Sequence, residues 1–449
     1  MSSNHVRLSQ CMIVKNEEKN IERALSWGKD VLYEQIVVDT GSTDNTVKLA
    51  EAMGARVYQF PWIDDFAAAK NFAISKASGD WIALLDADEY ILPEGVLKLI
   101  PLLERLNKTD YHVMLTSWLH VDEKGKVFAG GVQTRIFRNL EGLRFINRIH
   151  EELAVNGATI FPYTVDASRE VTIFHSGYNR ESSADKGKGE RNARLIHMEL
   201  AEHPDNYNMM GYLGDAYYAM EDELAAEEWY RKSIRLMPPR IEEYDVRSAV
   251  TFWKLMVILS KRGEEGPLME IYEKAVRLVP KESDYDYIAG TYYTTKKNYR
   301  KGARYLEQAV GKLEQYGQVN GGDLLSGNLQ GAWELLALCH YQNGDLASCV
   351  KYCTCLLKAD RYLMSTLVMM MCAFRWDEER RAEEAADAAQ VAAFLEQLYD
   401  IHSLKDRVFL LRAAMKADYD SLVKKLRAAC SLVELECFDR SMKERSGQP

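Results

Sequence analysis

The spacing of hydrophobic and polar positions differs between the two parts of the 449-residue chain. Up to about residue 178, short apolar runs of strand length alternate with amphipathic segments of helix length. Strand, helix and strand in succession are typical of a parallel sheet with crossover helices. The predicted elements include strands at Leu8–Val14 and Val127–Arg138 and a helix at Pro93–Leu106. From about residue 206 onward, apolar residues recur with helical spacing. The pattern therefore predicts an α/β domain followed by an all-α domain.

Acidic residues follow three of the predicted strands. They are Glu17, Asp39 and the pair Asp86 and Asp88, which comes directly after the apolar run Ile82–Leu85. Ligands of open α/β sheets bind at the carboxyl ends of the strands. Two carboxylates at such an end suit Mg²⁺ or Mn²⁺ beside a diphosphate. An Asp-x-Asp pair by itself is a weak signal, because a solvated acidic turn has the same appearance.

Other nucleotide-binding sheets have signatures that this sequence lacks. No Gly-x-Gly-x-x-Gly follows the first strand, and the chain has no Walker loop. A carboxylate such as Asp39 can accept hydrogen bonds from a base or a ribose hydroxyl, but it can equally cap the following helix. Lys70 can face a phosphate or be a solvated charge on a helix. Taken singly, the plain structural interpretation is favoured for both.

Four segments together resemble the family-two glycosyltransferases, and they occur in that family's order and spacing. They are Cys11–Glu18, Ile36–Asp44, Phe66–Asn71 and Leu85–Asp88. The resemblance covers roughly residues 7 to 178 and implies a GT-A fold and a nucleotide-diphospho-sugar donor. It also implies a base-binding acid at Asp39, an acid near the ribose at Asp86 and a metal ligand at Asp88. We expect the remaining donor-site residues to be Val14, Lys15, Asn16, Glu17, Ser42, Lys70 and Ala87.

Two later segments supply candidates for the chemistry. Direct displacement at a sugar carbon needs a base that removes the acceptor proton. The candidates for this base are His150, Glu151 and Glu152. The alternative is that these three residues only form a polar strand end. His175 stands at a predicted strand end and could complete a metal shell with Asp88, although a lone histidine is usually structural.

These two segments narrow the resemblance to one branch of the family. The branch includes bacterial peptide glycosyltransferases, among them the enzymes that glycosylate cysteine in glycocin bacteriocins, and proteins with undetermined acceptors. It implies Glu151 or Glu152 as the base and His175 as a metal ligand. The choice between the two glutamates stays open.

The C-terminal part resembles tetratricopeptide (TPR) repeats. One unit matches well, through Leu213, Gly214, Tyr217, Ala226, Tyr230 and Pro238. Looser repetitions follow at 255–280, 289–309 and 333–353. Stacked helix pairs of this kind bury a continuous core and leave a concave surface. The helices either brace the catalytic domain or provide a peptide-binding groove or a homodimer surface.

The two patterns suggest boundaries along the chain. We expect a catalytic domain at 1–178, a linker and helix at 179–205, a repeat domain at 206–437 and a polar tail at 438–449. A charged loop or hinge is predicted at 180–189. It either folds over the donor, with Lys186, Lys188 and Arg191 facing the diphosphate, or is a plain linker.

Composition narrows the class of protein. A net charge of -10 argues against a nucleic-acid-binding surface. The longest mostly apolar run, Tyr362–Phe374, is too short to span a bilayer, and the N-terminus lacks a signal-peptide core. The eight cysteines show no paired metal spacing. We therefore expect a cytoplasmic protein without a transmembrane segment.

The combined prediction is an inverting hexosyltransferase that depends on Mg²⁺ or Mn²⁺. It would move a sugar, most simply from a UDP-sugar, to a Ser, Thr or Cys side chain of a peptide or protein. One alternative is a transferase that builds a cell-surface glycan or glycolipid. The other is a helical-repeat binding scaffold with an inactive sheet domain.

Overall fold

A computed structural model describes residues 6–176, 186–243, 245–319, 322–381 and 387–446. The chain forms two compact units, Met1–Met237 and Pro238–Pro449. The first unit contains the sheet and the first three long helices that follow it. The boundaries suggested at residues 178, 205 and 437 stay predictions.

The first unit combines an α/β domain with a helical extension. Its strands are β1 (Leu8–Val14), β2 (Glu34–Asp39), β3 (Arg56–Gln59), β4 (Trp81–Leu84), β5 (Glu89–Ile91), β6 (Val113–Val121), β7 (Val127–Arg138), β8 (Leu143–Ile146), β9 (Glu152–Val155), β10 (Ala158–Thr159), β11 (Thr164–Asp166) and β12 (Thr172–His175). Its helices are α1 (Ile21–Ser26), α2 (Thr46–Ala52), α3 (Phe66–Lys76), α4 (Pro93–Leu106), α5 (Lys186–Glu202), α6 (Tyr207–Ala219) and α7 (Glu223–Leu236).

Within the described ranges, the main sheet is mixed and has the strand order β3-β2-β1-β4-β7-β6-β12-β5, with β11 beside β6. The strands β3, β2, β1 and β4 are parallel, whereas β7 runs antiparallel between β4 and β6. The carboxyl ends of β1, β2 and β4 therefore meet at one edge. The strands β8, β9 and β10 form a small separate antiparallel sheet.

Two consecutive residues of β1 show why the sheet needs helices on both faces. Met12 packs with α1 and α2 on one face, and Cys11 packs with α3 on the other. Both side chains are completely buried. Successive side chains of a strand point to opposite faces, so a strand covered by helices on both sides buries side chains on both. The expected GT-A α/β fold followed by a helical domain is confirmed.

Helix pairs continue from α6 into the second unit. The second unit contains α8 (Val246–Arg262), α9 (Glu265–Leu278), α10 (Asp284–Thr295), α11 (Tyr299–Tyr316), α12 (Leu329–Gln342), α13 (Leu346–Ala359), α14 (Met364–Arg381), α15 (Ala388–Leu395), α16 (Leu404–Lys416), α17 (Asp420–Ala428) and α18 (Leu432–Ser446). In the first pair, a Cβ added at Gly214 would lie 2.4 Å from the Tyr230 ring. That close approach explains the glycine in the repeat pattern.

Two other features bear on the sequence predictions. The helix α5 begins at Lys186, so the prediction of a loop at 180–189 is wrong from residue 186 onward. Its basic, glycine-containing start is compatible with a helix once the apolar side of α5 packs against the domain. Residues 180–185 lie outside the described ranges. None of the helices within the described ranges is both long and apolar enough to cross a membrane.

Candidate active site

A cavity of about 900 Å³ opens at the edge where the carboxyl ends of the parallel strands meet. Its lining comes from the ends of β1, β4 and β12, from β7, from α3 and from the first turns of α5. Ten of the residues expected from the sequence line it: Val14, Lys15, Glu17, Lys70, Asp86, Ala87, Asp88, His150, Glu151 and His175. A cavity of this volume can hold a ligand larger than a free monosaccharide.

The acids after β4 occupy one wall of this cavity. Asp86 and Asp88 both line it, and Glu17 faces the same space from the loop after β1. Burial raises the pKa of Glu17, and the charges of Asp88 and Asp86 act in the same direction. The Glu17 carboxylate also accepts a hydrogen bond from Asn20 at 2.9 Å. This wall thus concentrates negative charge that a cation would relieve.

Arg135, on β7, is a residue that the sequence interpretation missed. Its guanidinium lies 2.7 Å from both Asp86 and Glu89. Burial tends to raise the pKa of Asp86, but the positive charges of Arg135 and Lys70 outweigh it and hold the pKa below its ordinary value. The Arg135 side chain therefore binds two of the acids that follow β4.

Glu89 is the completely buried member of the acidic series. It accepts hydrogen bonds from Trp118 Nε1 at 2.6 Å and from the backbone N–H of Asp86 at 2.9 Å. Burial raises its pKa, which the Arg135 charge partly opposes. All these partners are protein groups, so Glu89 fixes the shape of the wall.

Asp88 and His175 lie together, as the resemblance implied. His175 Nε2 is 3.3 Å from Asp88 Oδ2, and His175 Nδ1 is 3.0 Å from His120 Nδ1. Burial lowers the pKa of His175, but the hydrogen bond and charge of Asp88 raise it overall. The pKa of His120 is lowered by burial and then by His175. Trp118 packs against both imidazoles.

The three candidate base residues are placed differently. Glu151 lines the cavity and forms an ion pair with Lys70, and both side chains are largely buried. His150 also lines the cavity, with its ring stacked on Tyr212. Glu152 is the exposed first residue of β9 and is not among the residues that line the cavity. The structure thus separates the two glutamates that the sequence left equivalent.

Three expected donor-site residues lie beside the cavity without lining it. Asp39 is buried, and its carboxylate accepts hydrogen bonds from the backbone of Ser42 at 3.0 Å and Gly41 at 3.2 Å. Asn16 accepts a bond from the Thr43 backbone at 2.8 Å. Ser42 accepts one from the Asn16 backbone at 2.9 Å. The side chains of Asn16 and Ser42 thus join the loops after β1 and β2, whereas Asp39 orders the loop after β2. The contact of these three residues with a donor stays a prediction.

The far side of the cavity is aromatic and basic. Trp62 and Phe66 line it, with ring centroids 4.7 Å apart in an edge-on arrangement. Lys188 and Arg191, which one of the two interpretations of this segment places at the diphosphate, line it from α5. The side chain of Lys186 lies outside the described residues. The aromatic pair had no distinctive sequence signal, because its two members are ordinary apolar positions near a helix start.

Comparison with known proteins finds similar glycosyltransferases. The family described as Glycosyl transferase family 2 matches residues 9–170. A TPR repeat-containing protein of Synechococcus elongatus is 30% identical over 277 residues, which is 60% of this chain and 66% of that protein. An uncharacterized glycosyltransferase of Rickettsia bellii is 30% identical over 200 residues, or 42% of this chain and 68% of that protein.

The prophage-derived glycosyltransferase SunS of Bacillus subtilis is 27% identical over 226 residues, or 50% of this chain and 52% of SunS. The chain thus spans about half the length of SunS and about two thirds of the Synechococcus protein. Among solved structures, a fragment of S. aureus TarS, residues 1–349, aligns with 66% of this chain and 92% of its own, at 15% identity and a TM-score of 0.34.

Proposed function

The chain belongs to glycosyl transferase family 2 and is a glycosyltransferase, and from this premise we propose that it transfers a sugar, with inversion, from a nucleotide-diphospho-sugar to a peptide side chain. The observation that carries the proposal is the cavity at the strand ends. Asp88 and His175 line it side by side, and Glu151 lines it as well. One carboxylate for the acceptor and one acidic wall for the leaving group are what a single displacement needs.

The donor would lie along the ends of β1 and β4. Lys15 and Ala87 line this part of the cavity, and the loop after β2 that Asp39 organises borders it. Lys188 and Arg191 on α5 offer positive charge to phosphate oxygens. We propose a UDP-sugar, on the basis of the family resemblance of Asp39 and Asp86.

The residues present fit a divalent cation shared with the donor. Asp88 offers a carboxylate oxygen 3.3 Å from a nitrogen of His175. In the described part of the chain, no cluster of three or more His, Cys, Asp or Glu side chains is suited to hold a metal ion. Mg²⁺ is often held by one or two carboxylates together with substrate phosphates, so two protein ligands suffice. A bound cation would neutralise charge on the departing diphosphate.

Glu151 is our proposed base. Its carboxylate takes the proton from an acceptor hydroxyl or thiol while the acceptor atom bonds to the sugar carbon. The bond from that carbon to the diphosphate oxygen breaks, and the nucleoside diphosphate leaves with the electron pair. Lys70 orients the Glu151 carboxylate by their ion pair. Glu152 does not line the cavity and is assigned no part in the step.

A peptide or protein acceptor is favoured by the TPR-like helices and by the resemblance of His150-Glu151-Glu152 to the peptide-modifying branch. A cell-surface glycan or glycolipid is the alternative acceptor. A cytoplasmic location and a homodimer through the helical region both stay predictions.

A mass-spectrometric transfer assay tests the proposal. The purified protein is given Mn²⁺ or Mg²⁺, a panel of nucleotide sugars, and peptides encoded beside its gene. We expect a hexose-sized mass gain on a peptide that is lost in Asp88→Ala and after chelation of the metal. Asp30→Ala, at an exposed acid that does not line the cavity, is the matched control and should keep full transfer.

The other outcomes are informative. Donor hydrolysis with every peptide unmodified would move the acceptor toward surface glycans. Full transfer by Asp88→Ala would show that the metal assignment is wrong. If the protein neither transfers nor hydrolyses any donor, that result contradicts the proposal itself.

A further inference from the structure

The segment 147–151, which carries Glu151 to the cavity, has an unusual backbone. Asn147 has a φ of +69° and His150 a φ of +50°. Residues other than glycine rarely adopt this left-handed conformation, and they persist in it only where their surroundings hold them. Two such residues within four positions mean that contacts from elsewhere determine where Glu151 points.

Glu199 of α5 supplies one of these contacts. Its side chain is almost completely buried and accepts a hydrogen bond from the Arg148 backbone N–H at 2.8 Å. The Arg148 carbonyl accepts a bond from the backbone of Phe66 at 2.8 Å. The Arg148 guanidinium also pairs with Glu202, one turn further along α5. The segment is therefore held between the start of α3 and the side of α5.

Tyr212 of α6 supplies the other contact. Its ring lies parallel to the His150 imidazole, with centroids 3.7 Å apart and an interplanar angle of 5°. The preceding residue, Ile149, is buried in a cluster with Leu195 of α5 and Leu213 of α6. His150 and the residue before it thus both pack on α6, and Ile149 also packs on α5.

We infer that Glu199 and Tyr212 are positioning residues for Glu151, so that α5 and α6 form part of the catalytic apparatus. The inference rests on the proposed function, in which Glu151 is the base. It adds that the sheet domain alone, without these helices, cannot hold the base in place. The first TPR-like helix then has a role in the chemistry that is separate from any role in binding a partner.

The test compares Tyr212→Ala with Tyr212→Phe and with Tyr217→Ala. Phenylalanine keeps the stacked ring, and Tyr217 lies on the same helix with its hydroxyl 3.2 Å from His197. We expect Tyr212→Ala to lower kcat about 10- to 100-fold, because a misplacement of about 1 Å at a reacting group has effects of this size. The KM for the donor should stay within about twofold, as should the Kd for UDP with Mn²⁺. Tyr212→Phe and Tyr217→Ala should keep kcat.

Hydrogen exchange gives a readout that does not depend on activity. We expect faster exchange at the amide of residue 148 in Glu199→Ala and across 147–151 in Tyr212→Ala, with the β1 amides unchanged. If Tyr212→Ala does not fold, Tyr212→Leu replaces it, since leucine keeps apolar volume and removes the stacked ring.

The results separate this inference from the proposed function. An active wild-type enzyme with an unchanged kcat in the folded Tyr212 variant would overturn the inference alone. An equal loss in Tyr217→Ala would also overturn it, because the effect would then be general to the helix. A wild-type enzyme that turns over no donor would overturn the proposed function instead.

Discussion

Buried carboxylates occur both around the cavity of the first unit and in the helical second unit, but they serve different purposes. In the second unit, Asp284 accepts hydrogen bonds from the backbones of Leu324 and Leu325 at 3.1 and 3.0 Å. Asp286 lies 2.6 Å from both the Tyr272 hydroxyl and the Lys312 ammonium. These acids join helices and a loop through donors that belong to the protein.

The acids around the cavity receive only part of their hydrogen bonds from protein donors. Glu89 resembles the helical acids, because its partners are Arg135, Trp118 and a backbone amide. The side chains of Asp86 and Asp88 instead keep 39% and 25% of their surface exposed, toward the cavity. Burial of an acid is therefore a poor sign of catalysis. We expect the functional acids to be those that line the cavity, and Glu151 is one of them although it also pairs with Lys70.

The sharpest test of this distinction uses two adjacent glutamates. Glu151 lines the cavity and Glu152 does not, so Glu151→Gln should lower kcat about 10²- to 10⁴-fold, the usual contribution of a general base. Glu152→Gln should keep kcat within about twofold, since it removes the same charge outside the cavity. Steady-state transfer rates measure both, and circular dichroism confirms folding.

If the two variants lost activity equally, the lining of the cavity would not predict function. If only Glu152→Gln lost it, our assignment of the base would be reversed.

A second test asks whether Arg135 and Glu89 belong with the structural acids. Arg135→Met removes the partner of the completely buried Glu89 and should lower the free energy of unfolding by about 3–5 kcal/mol, because it leaves a buried charge uncompensated. The double variant Arg135→Met with Glu89→Gln should recover part of that loss. Urea unfolding measures both.

Equal stability of the single variant and the wild type would contradict this view of Glu89. Stability that fell further in the double variant would do so as well.

The smallest expected effect lies in the helical unit. Asp284→Asn keeps one acceptor oxygen but weakens the charge-assisted bonds to the backbones of Leu324 and Leu325. We expect a loss of about 1–2 kcal/mol in the free energy of unfolding and no change in kcat. Thermal unfolding measures the loss of stability, and the transfer assay measures kcat. A lower kcat with unchanged stability would mean that this acid is not purely structural.

Much of the architecture follows from local patterns. The strand over Leu8–Val14, the helix over Pro93–Leu106 and the strand over Val127–Arg138 begin and end where the sequence predicts. Periodicity and end signals are local properties, so they can be recognised without knowledge of the fold. The pair Asp86 and Asp88 is visible for the same reason, because it directly follows an apolar run.

Contacts between distant residues could not be recognised in this way. Arg135 reaches Asp86, 49 positions earlier, because β7 pairs antiparallel with β4. Nothing in the residues around Arg135 specifies that partner, since strand pairing is decided by the whole sheet. The buried role of Glu89 depends on the same pairing.

The two kinds of domain, the acidic strand ends and the family of the catalytic part can all be recognised from the amino-acid sequence. The folded structure is needed to see that Glu151 and not Glu152 lines the cavity. Consecutive residues point in different directions, and the left-handed turn at His150 sets which one faces inward. That turn is held by packing on Tyr212, more than sixty residues later in the chain. Such an orientation arises from long-range packing, which a local pattern of residues does not contain.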